Sequence, residues 1–322
     1  AGPLGDTVRC SVVDVFDVKG GALVCSPSGA QGERWPLLVF GHGDGQLASA
    51  YEDMMTNIAS YGFVVAAYRS CVWAFTGSPS ECDMGRTTFL EALRIIDFFS
   101  RFPGVYPQAA PVDMASQVTV AGHSGGGRVA LTIAAVRDSP TFAAGTPWAD
   151  MLDADGGALR RAAARVGAVA GLHADDMSLP ESDIDLEGFQ TAITKTPVFL
   201  DTSADDIGVP AGATWWNFLQ VHSGSKIYLN TPALQGGHME PVETGAEGPW
   251  VAIFAQAFAL GNQTAKHLLY GDCSTCLRHA LPRAYPGRRN DGSGVASLVL
   301  CDDAEGAWPP EFAQLCSGKA TT

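Results

Sequence analysis

The sequence predicts an α/β fold built on a mostly parallel central sheet flanked by helices. Three observations carry that prediction. Short apolar runs recur between residues 37 and 229, amphipathic stretches of helical period separate them, and hydroxyl–carboxylate pairs mark two helix starts. The runs at 37–40, 63–68, 118–121, 166–172, 197–201 and 226–229 are the expected buried strands.

Ahead of them, Val8, Cys10 and Val12 alternate with polar residues, Gly20-Gly21 supplies a turn, and 22–25 returns as a second strand. A disulfide between Cys10 and Cys25 would staple this hairpin. Ser49-Ala50-Tyr51-Glu52 and Thr88-Phe89-Leu90-Glu91 read as capping boxes, in which a hydroxyl and a carboxylate satisfy the free amides of a first helical turn. In the first helix Tyr51, Met54, Met55, Ile58 and Ala59 share one face, and Gly62 is its stop. Further helices are expected over 128–137 and 250–260. Segments 139–165 and 172–196 are less regular, as cap or loop insertions would be. With no internal repeat and no low-complexity linker, residues 1–322 read as one domain: a core over 1–261 and a cysteine-rich C-terminal extension, tied by disulfides, over 262–322.

Twenty Lys and Arg against 34 Asp and Glu leave a net charge of −14, which excludes nucleic acid and anionic lipid surfaces as partners. The longest apolar stretch, 251–260, is about half of a bilayer span, so no integral membrane segment is expected. Nothing at the N-terminus reads as a signal, so any targeting segment is expected to have been removed or to lie outside this sequence. Eight cysteines, at 10, 25, 71, 82, 273, 276, 301 and 316, point to disulfides and an oxidising compartment. Cys10 with Cys25, Cys71 with Cys82, and the tail set Cys273, Cys276, Cys301 and Cys316 are the local groupings. A zinc site of the four tail sulfurs is the rival reading, but fourteen residues between Cys301 and Cys316 depart from ligand spacing. The expectation is therefore no metal, no cofactor and a monomer. Asn262-Gln263-Thr264 is a glycosylation sequon.

The chemistry-bearing signal is Val118-Thr119-Val120-Ala121-Gly122-His123-Ser124-Gly125-Gly126, a G-x-S-x-G sequence between an apolar strand and a helix. That context is the nucleophile elbow of the α/β-hydrolase fold, where flanking glycines let a strained turn lift the serine above the sheet edge. A serine needs a histidine to take its proton and a carboxylate to orient that histidine, and in this fold they follow in the order serine, acid, histidine. Of the histidines after the first following strand, His238 sits in a glycine-rich loop beyond run 226–229, whereas His222 precedes that run and His267 and His279 fall in the extension. Asp206, past the end of run 197–201, is the leading acid, Asp205 is next, and Asp175, after run 166–172, is a rival. The oxyanion donors are expected to be the amides of Gly125 and of Asp44 in Gly41-His42-Gly43-Asp44-Gly45. Met239 and Trp73 are candidates for substrate contact. His123 is a weaker one, because it points to the opposite side of the elbow and suits packing.

These motifs resemble the chlorophyllases and the related cutinase-like polyester hydrolases, including enzymes that cleave poly(ethylene terephthalate). The resemblance runs over about 35–240. It includes Leu37-Leu38-Val39-Phe40-Gly41-His42-Gly43, the segment Ile58-Ala59-Ser60-Tyr61-Gly62-Phe63-Val64-Val65, the elbow, and Gly237-His238-Met239-Glu240, similar to the chlorophyllase GHMD. The polyester-hydrolase pattern ND-x-x-x-P is similar to Asp205-Asp206-Ile207-Gly208-Val209-Pro210 and implies Asp206 as the acid. There are departures. Gly125 stands where plant chlorophyllases have arginine and polyester hydrolases methionine, Gly171-Leu172-His173 replaces the acid-bearing GIDPV, and the polyester hydrolases lack the cysteine-rich tail. The resemblance implies a serine ester hydrolase acting on an apolar ester, either chlorophyllase-like in a plastid or a secreted cutinase-like or general esterase. A non-catalytic relative that binds an apolar ligand is the alternative of another class, and a metal-dependent hydrolase, prompted by the Asp-rich loops, is a third.

Overall fold

A computed structural model describes residues 2–28, 33–69, 88–104, 111–142, 144, 147–175, 189–203, 206–231, 237–277 and 297–301. Strands β1 (Val8–Val13) and β2 (Ala22–Pro27) form the expected antiparallel hairpin. Cys10 lies opposite Cys25 in that register, and the two are bonded. The parallel strands follow: β3 (Trp35–Gly41), β4 (Val64–Tyr68), a two-residue β5 (Val112–Asp113), β6 (Val118–His123), β7 (Val166–Leu172), β8 (Val198–Ser203) and β9 (Lys226–Thr231). A last strand, β10 (Ser297–Cys301), runs antiparallel to β9. The sheet order is β1-β2-β4-β3-β6-β7-β8-β9-β10, with β5 beside β3.

Residues of each central strand alternate between two apolar cores. Leu37 and Val39 of β3 face one, with Val129, Ile133 and Leu93 from α2 (Thr88–Arg101) and α3 (Gly125–Asp138). Leu38 and Phe40 face the other, with Met54, Ile58, Val251 and Phe254 from α1 (Glu52–Ala59) and α7 (Gly248–Phe258). Burial on both faces is why these strands read as continuous apolar runs and not as alternating ones.

Some local expectations differ from the structure. Ser49 lies in a 3-10 turn, Ala48–Tyr51, and α1 starts at Glu52 without a side-chain cap. The first capping box is not formed, because packing of Tyr51 and Met54 into the core sets the helix start. Within 139–165 lies a helix, α4 (Pro147–Ala164), interrupted at 154–157, where Asp155, Gly156 and Gly157 all take positive φ. That glycine-rich break hid its helical period. Helices α5 (Ala211–Gln220), α6 (Glu240–Glu243) and α8 (Gln263–Tyr270) complete the set, with the Asn262 side chain capping α8. Ala265 and Leu269 of α8 bury against the α7 core. After α8, Cys273 and Cys276 are disulfide-bonded to each other, so these two sulfurs do not form the rival zinc set. Cys71, Cys82 and Cys316, and the side chain of Cys301, lie outside the described residues. No helix among the described residues is long and apolar enough to cross a membrane.

Candidate active site

The carboxyl ends of β3, β6, β7, β8 and β9 converge on one edge of the sheet, where α/β proteins place their ligand crevices. Ser124 occupies the sharp turn from β6 into α3, with φ 54° and ψ −122°. A side-chain-bearing residue reaches such a backbone only when its surroundings impose it. Here they do: a Cβ at Gly122 would lie 2.3 Å from the Gly126 carbonyl oxygen, and one at Gly126 would lie 2.1 Å from that of Gly41. Glycine at both positions lets α3 start hard against β6 and β3.

His238 sits in the short turn Gly237–Met239. Its Nε2 is 3.1 Å from Ser124 Oγ and its Nδ1 is 2.9 Å from Asp206 Oδ2. Asp206 follows β8, and its Oδ1 accepts the amides of Gly208 and Val209 at 2.8 Å each. Burial opposes charge on Asp206, but hydrogen bonds from His173, His238 and the Val209 amide outweigh it and hold the carboxyl well below the usual range. The carboxylate is thus ionised, and it fixes the His238 proton on Nδ1, leaving Nε2 free to accept from the serine. The chain at 207–209 also presses on the ring, since a Cβ at Gly208 would sit 2.6 Å from His238 Cγ.

A second chain of hydrogen bonds holds the histidine loop. His123 Nε2 donates to the His238 carbonyl at 2.7 Å, so its Nδ1 must accept from the Tyr51 hydroxyl, also at 2.7 Å. Tyr51 Oη in turn accepts the Gly43 amide at 3.0 Å. Burial and the neighbouring His238 and His173 rings keep His123 neutral, with a pKa well below the ordinary histidine value. With both nitrogens engaged and 1% exposure, His123 joins the elbow, the β3 loop and the histidine loop, which is incompatible with a role in contacting substrate. Gly43 itself presses on the elbow, since a Cβ there would lie 3.2 Å from Ser124 Cβ. That contact sets Asp44 beside the first turn of α3, where the Gly125 amide has no intrahelical acceptor. The Asp44 carboxylate fills the space a side chain at residue 125 would need, with Oδ1 2.6 Å from the Cβ position.

Asp175 does not reach His238; its carboxylate pairs with buried Arg128 at 3.2 Å. Asp205 and Trp73 lie outside the described residues. Met239 is half-buried next to His238, and His222 and His267 are exposed. His173 is the residue that sequence reasoning did not assign. Its Nδ1 is 2.6 Å from Asp206 Oδ2, so the acid accepts from two histidines. Its signal was its position at the end of β7, between the strands leading to Ser124 and Asp206.

A mostly parallel sheet flanked by helices, with an elbow serine after β6, an acid after β8 and a histidine after β9 at its carboxyl edge, is the arrangement of the α/β-hydrolase fold. Residues 13–144 match the family model of the chlorophyllases, a branch of that superfamily whose members hydrolyse ester bonds. The matched segment carries Asp44 and Ser124 and ends before His173, Asp206 and His238. No curated protein matches the chain.

Proposed function

We propose that the protein is a serine carboxylic-ester hydrolase that uses Ser124, His238 and Asp206 and takes a chlorophyll-like ester, a bulky acid joined to a long apolar alcohol. The observation that carries this reading is the unbroken hydrogen-bond line from Ser124 Oγ through His238 to Asp206 Oδ2. His238 Nε2 takes the Ser124 proton as Oγ attacks the ester carbonyl. The resulting oxyanion is held by the amides of Asp44 and Gly125, and His238 then protonates the leaving alkoxide. Water, deprotonated by the same ring, releases the acid from the acyl-enzyme. Asp206 stays ionised throughout and stabilises the imidazolium.

The chlorophyllase match and Gly237-His238-Met239-Glu240 support the substrate class. So do apolar side chains on the loops that carry the site: Leu47 is 53% exposed three residues past Asp44, and Ile207, beside Asp206, is 96% exposed. The same Asp206-to-Pro210 loop favours a second reading, a cutinase-like polyester hydrolase. The Cys10–Cys25 bridge supports an oxidising location. Purified protein is to be incubated with chlorophyll, a polyester film and a short p-nitrophenyl ester, alongside labelling by a fluorophosphonate. Formation of chlorophyllide is expected, with Ser124→Ala losing both turnover and labelling. Rapid short-ester cleavage without chlorophyllide removes the chlorophyll reading. Full activity in Ser124→Ala removes the mechanism.

A further inference from the structure

His173 connects Asp206 to a second group of titratable side chains that the ester chemistry does not use. Asp201 lies on β8 five residues before Asp206, Glu240 follows His238 by two residues, and Glu247 stands at the entrance to α7. All three are almost completely buried, at 3%, 1% and 3% exposure. Asp201 Oδ1, Glu240 Oε1 and both oxygens of Glu247 have no hydrogen-bond partner among the described residues. Nor does any Lys or Arg among the described residues form an ion pair with them; they raise one another's proton affinity, on top of the larger effect of burial. Carboxylates held this way must either meet a cation or take up protons.

The geometry favours the cation. One ligand atom each from His173, Glu240 and Glu247 lie within 4.8 Å of one another, the span of donors around a single ion. His173 moreover directs Nδ1 at the Asp206 carboxylate, 2.6 Å away, which is how a metal-bound histidine is normally oriented by its other ring nitrogen.

We propose that His173, Glu240 and Glu247, with Asp201 beside them, form a binding site for one divalent metal cation. The ligands come from the end of β7, the turn after His238 and the start of α7, with Asp201 on the strand that leads to Asp206. A bound ion therefore ties the histidine-bearing loop and the acid-bearing strand to the sheet, and it steadies Asp206 through His173. Carboxylate and imidazole donors without thiolate suit calcium, manganese or zinc. This site holds or fails independently of the ester substrate.

The test is made on the full chain. Metal content is measured as purified and again after chelator treatment under mild denaturant and refolding. Thermal unfolding then follows in EDTA and with about 1 mM CaCl2, MnCl2 or ZnCl2, a concentration expected to be well above the dissociation constant of such a donor set. About one equivalent of metal as purified is expected, with a rise in Tm of about 5 °C or more from one of these ions over EDTA. Glu247→Gln and Glu240→Gln should abolish that rise. If either variant fails to fold, the metal content and Tm of the unmodified chain decide. Negligible metal together with a Tm indifferent to all three ions overturns the proposal. So does a Glu247→Gln protein more stable than the parent at pH 8, because that result means the acids hold protons.

Discussion

Replacing Asp206 with asparagine tests the proposed Ser124–His238–Asp206 arrangement at the residue that orients the histidine. Oδ1 accepts two backbone amides, from Gly208 and Val209, and Oδ2 accepts from both His238 Nδ1 and His173 Nδ1. An asparagine must keep its carbonyl oxygen toward the two amides, since turning its NH2 there would set donors against donors. The NH2 then faces the two rings and donates to them, so His238 Nδ1 becomes an acceptor and its proton moves to Nε2. In that tautomer Nε2 cannot accept from Ser124. The fold changes little, but kcat for a p-nitrophenyl ester is expected to fall about 10⁴-fold, the loss seen when a triad histidine is held in the wrong tautomer. That corresponds to about 5 kcal/mol of transition-state stabilisation. Fluorophosphonate labelling of Ser124 should slow in parallel, with Tm within a few degrees of the parent. Asp175→Asn is the control: it breaks the pair with Arg128 and lowers stability, while kcat stays within about tenfold. A loss under about 30-fold in Asp206→Asn, or an equal loss in Asp175→Asn, would refute the assignment of the acid.

Gly126→Ala drives a methyl group against the Gly41 carbonyl, and because both sides are backbone the expected cost is about 3 kcal/mol or failure to fold, read by urea unfolding. Gly104→Ala, with nothing within 4 Å, should leave the urea midpoint nearly unchanged. Lys226 is fully buried, donating to the Phe218 and Val221 carbonyls, and burial draws its pKa down to about 7. The native chain therefore loses this proton before the unfolded chain does, so the stability contribution rises between about pH 7 and 10.4, by at most about 1.4 kcal/mol per pH unit. In Lys226→Met the urea midpoint should rise less over that interval than in the parent. Loss of the Cys10–Cys25 bridge in the double serine variant should cost about 3 kcal/mol, by the entropy of a loop of this length, and leave kcat intact.

What was legible in the sequence was what backbone geometry imposes locally. A serine at positive φ between a strand and a helix requires glycine at 122 and 126, so the elbow announces itself in five residues. Loop order and strand ends then pointed to His238 and Asp206, because a parallel sheet gathers its carboxyl ends at one edge. His173 was legible only by its place at the end of β7: its value depends on a contact 33 positions away in sequence, and a histidine ending a strand carries no local mark of that partner. The role of His123 was hidden for the same reason, since its partners are Tyr51 and the His238 carbonyl. At Ser49 the local rule was present and lost, because core packing of Tyr51 outweighs a side-chain cap. In α4 two glycines interrupt the period that sequence reading relies on.

The glycine at 125 follows from the residue opposite it. Where the chlorophyllase pattern has arginine after the nucleophile, this chain turns the Asp44 carboxylate into that volume, so any side chain at residue 125 would require Asp44 to move. The acid lies beside Gly125, the proposed oxyanion donor. A surface of net charge −14 repels an anionic ester before it binds, whereas a neutral ester carries charge only in its oxyanion and in its carboxylate product. Long-range repulsion of the released carboxylate favours its departure. It follows that product inhibition by a free carboxylate should strengthen with added salt, which screens the field, and should strengthen further at low salt in Asp44→Asn. An inhibition constant indifferent to both would mean that the acid at residue 44 serves packing against Gly125 and nothing more.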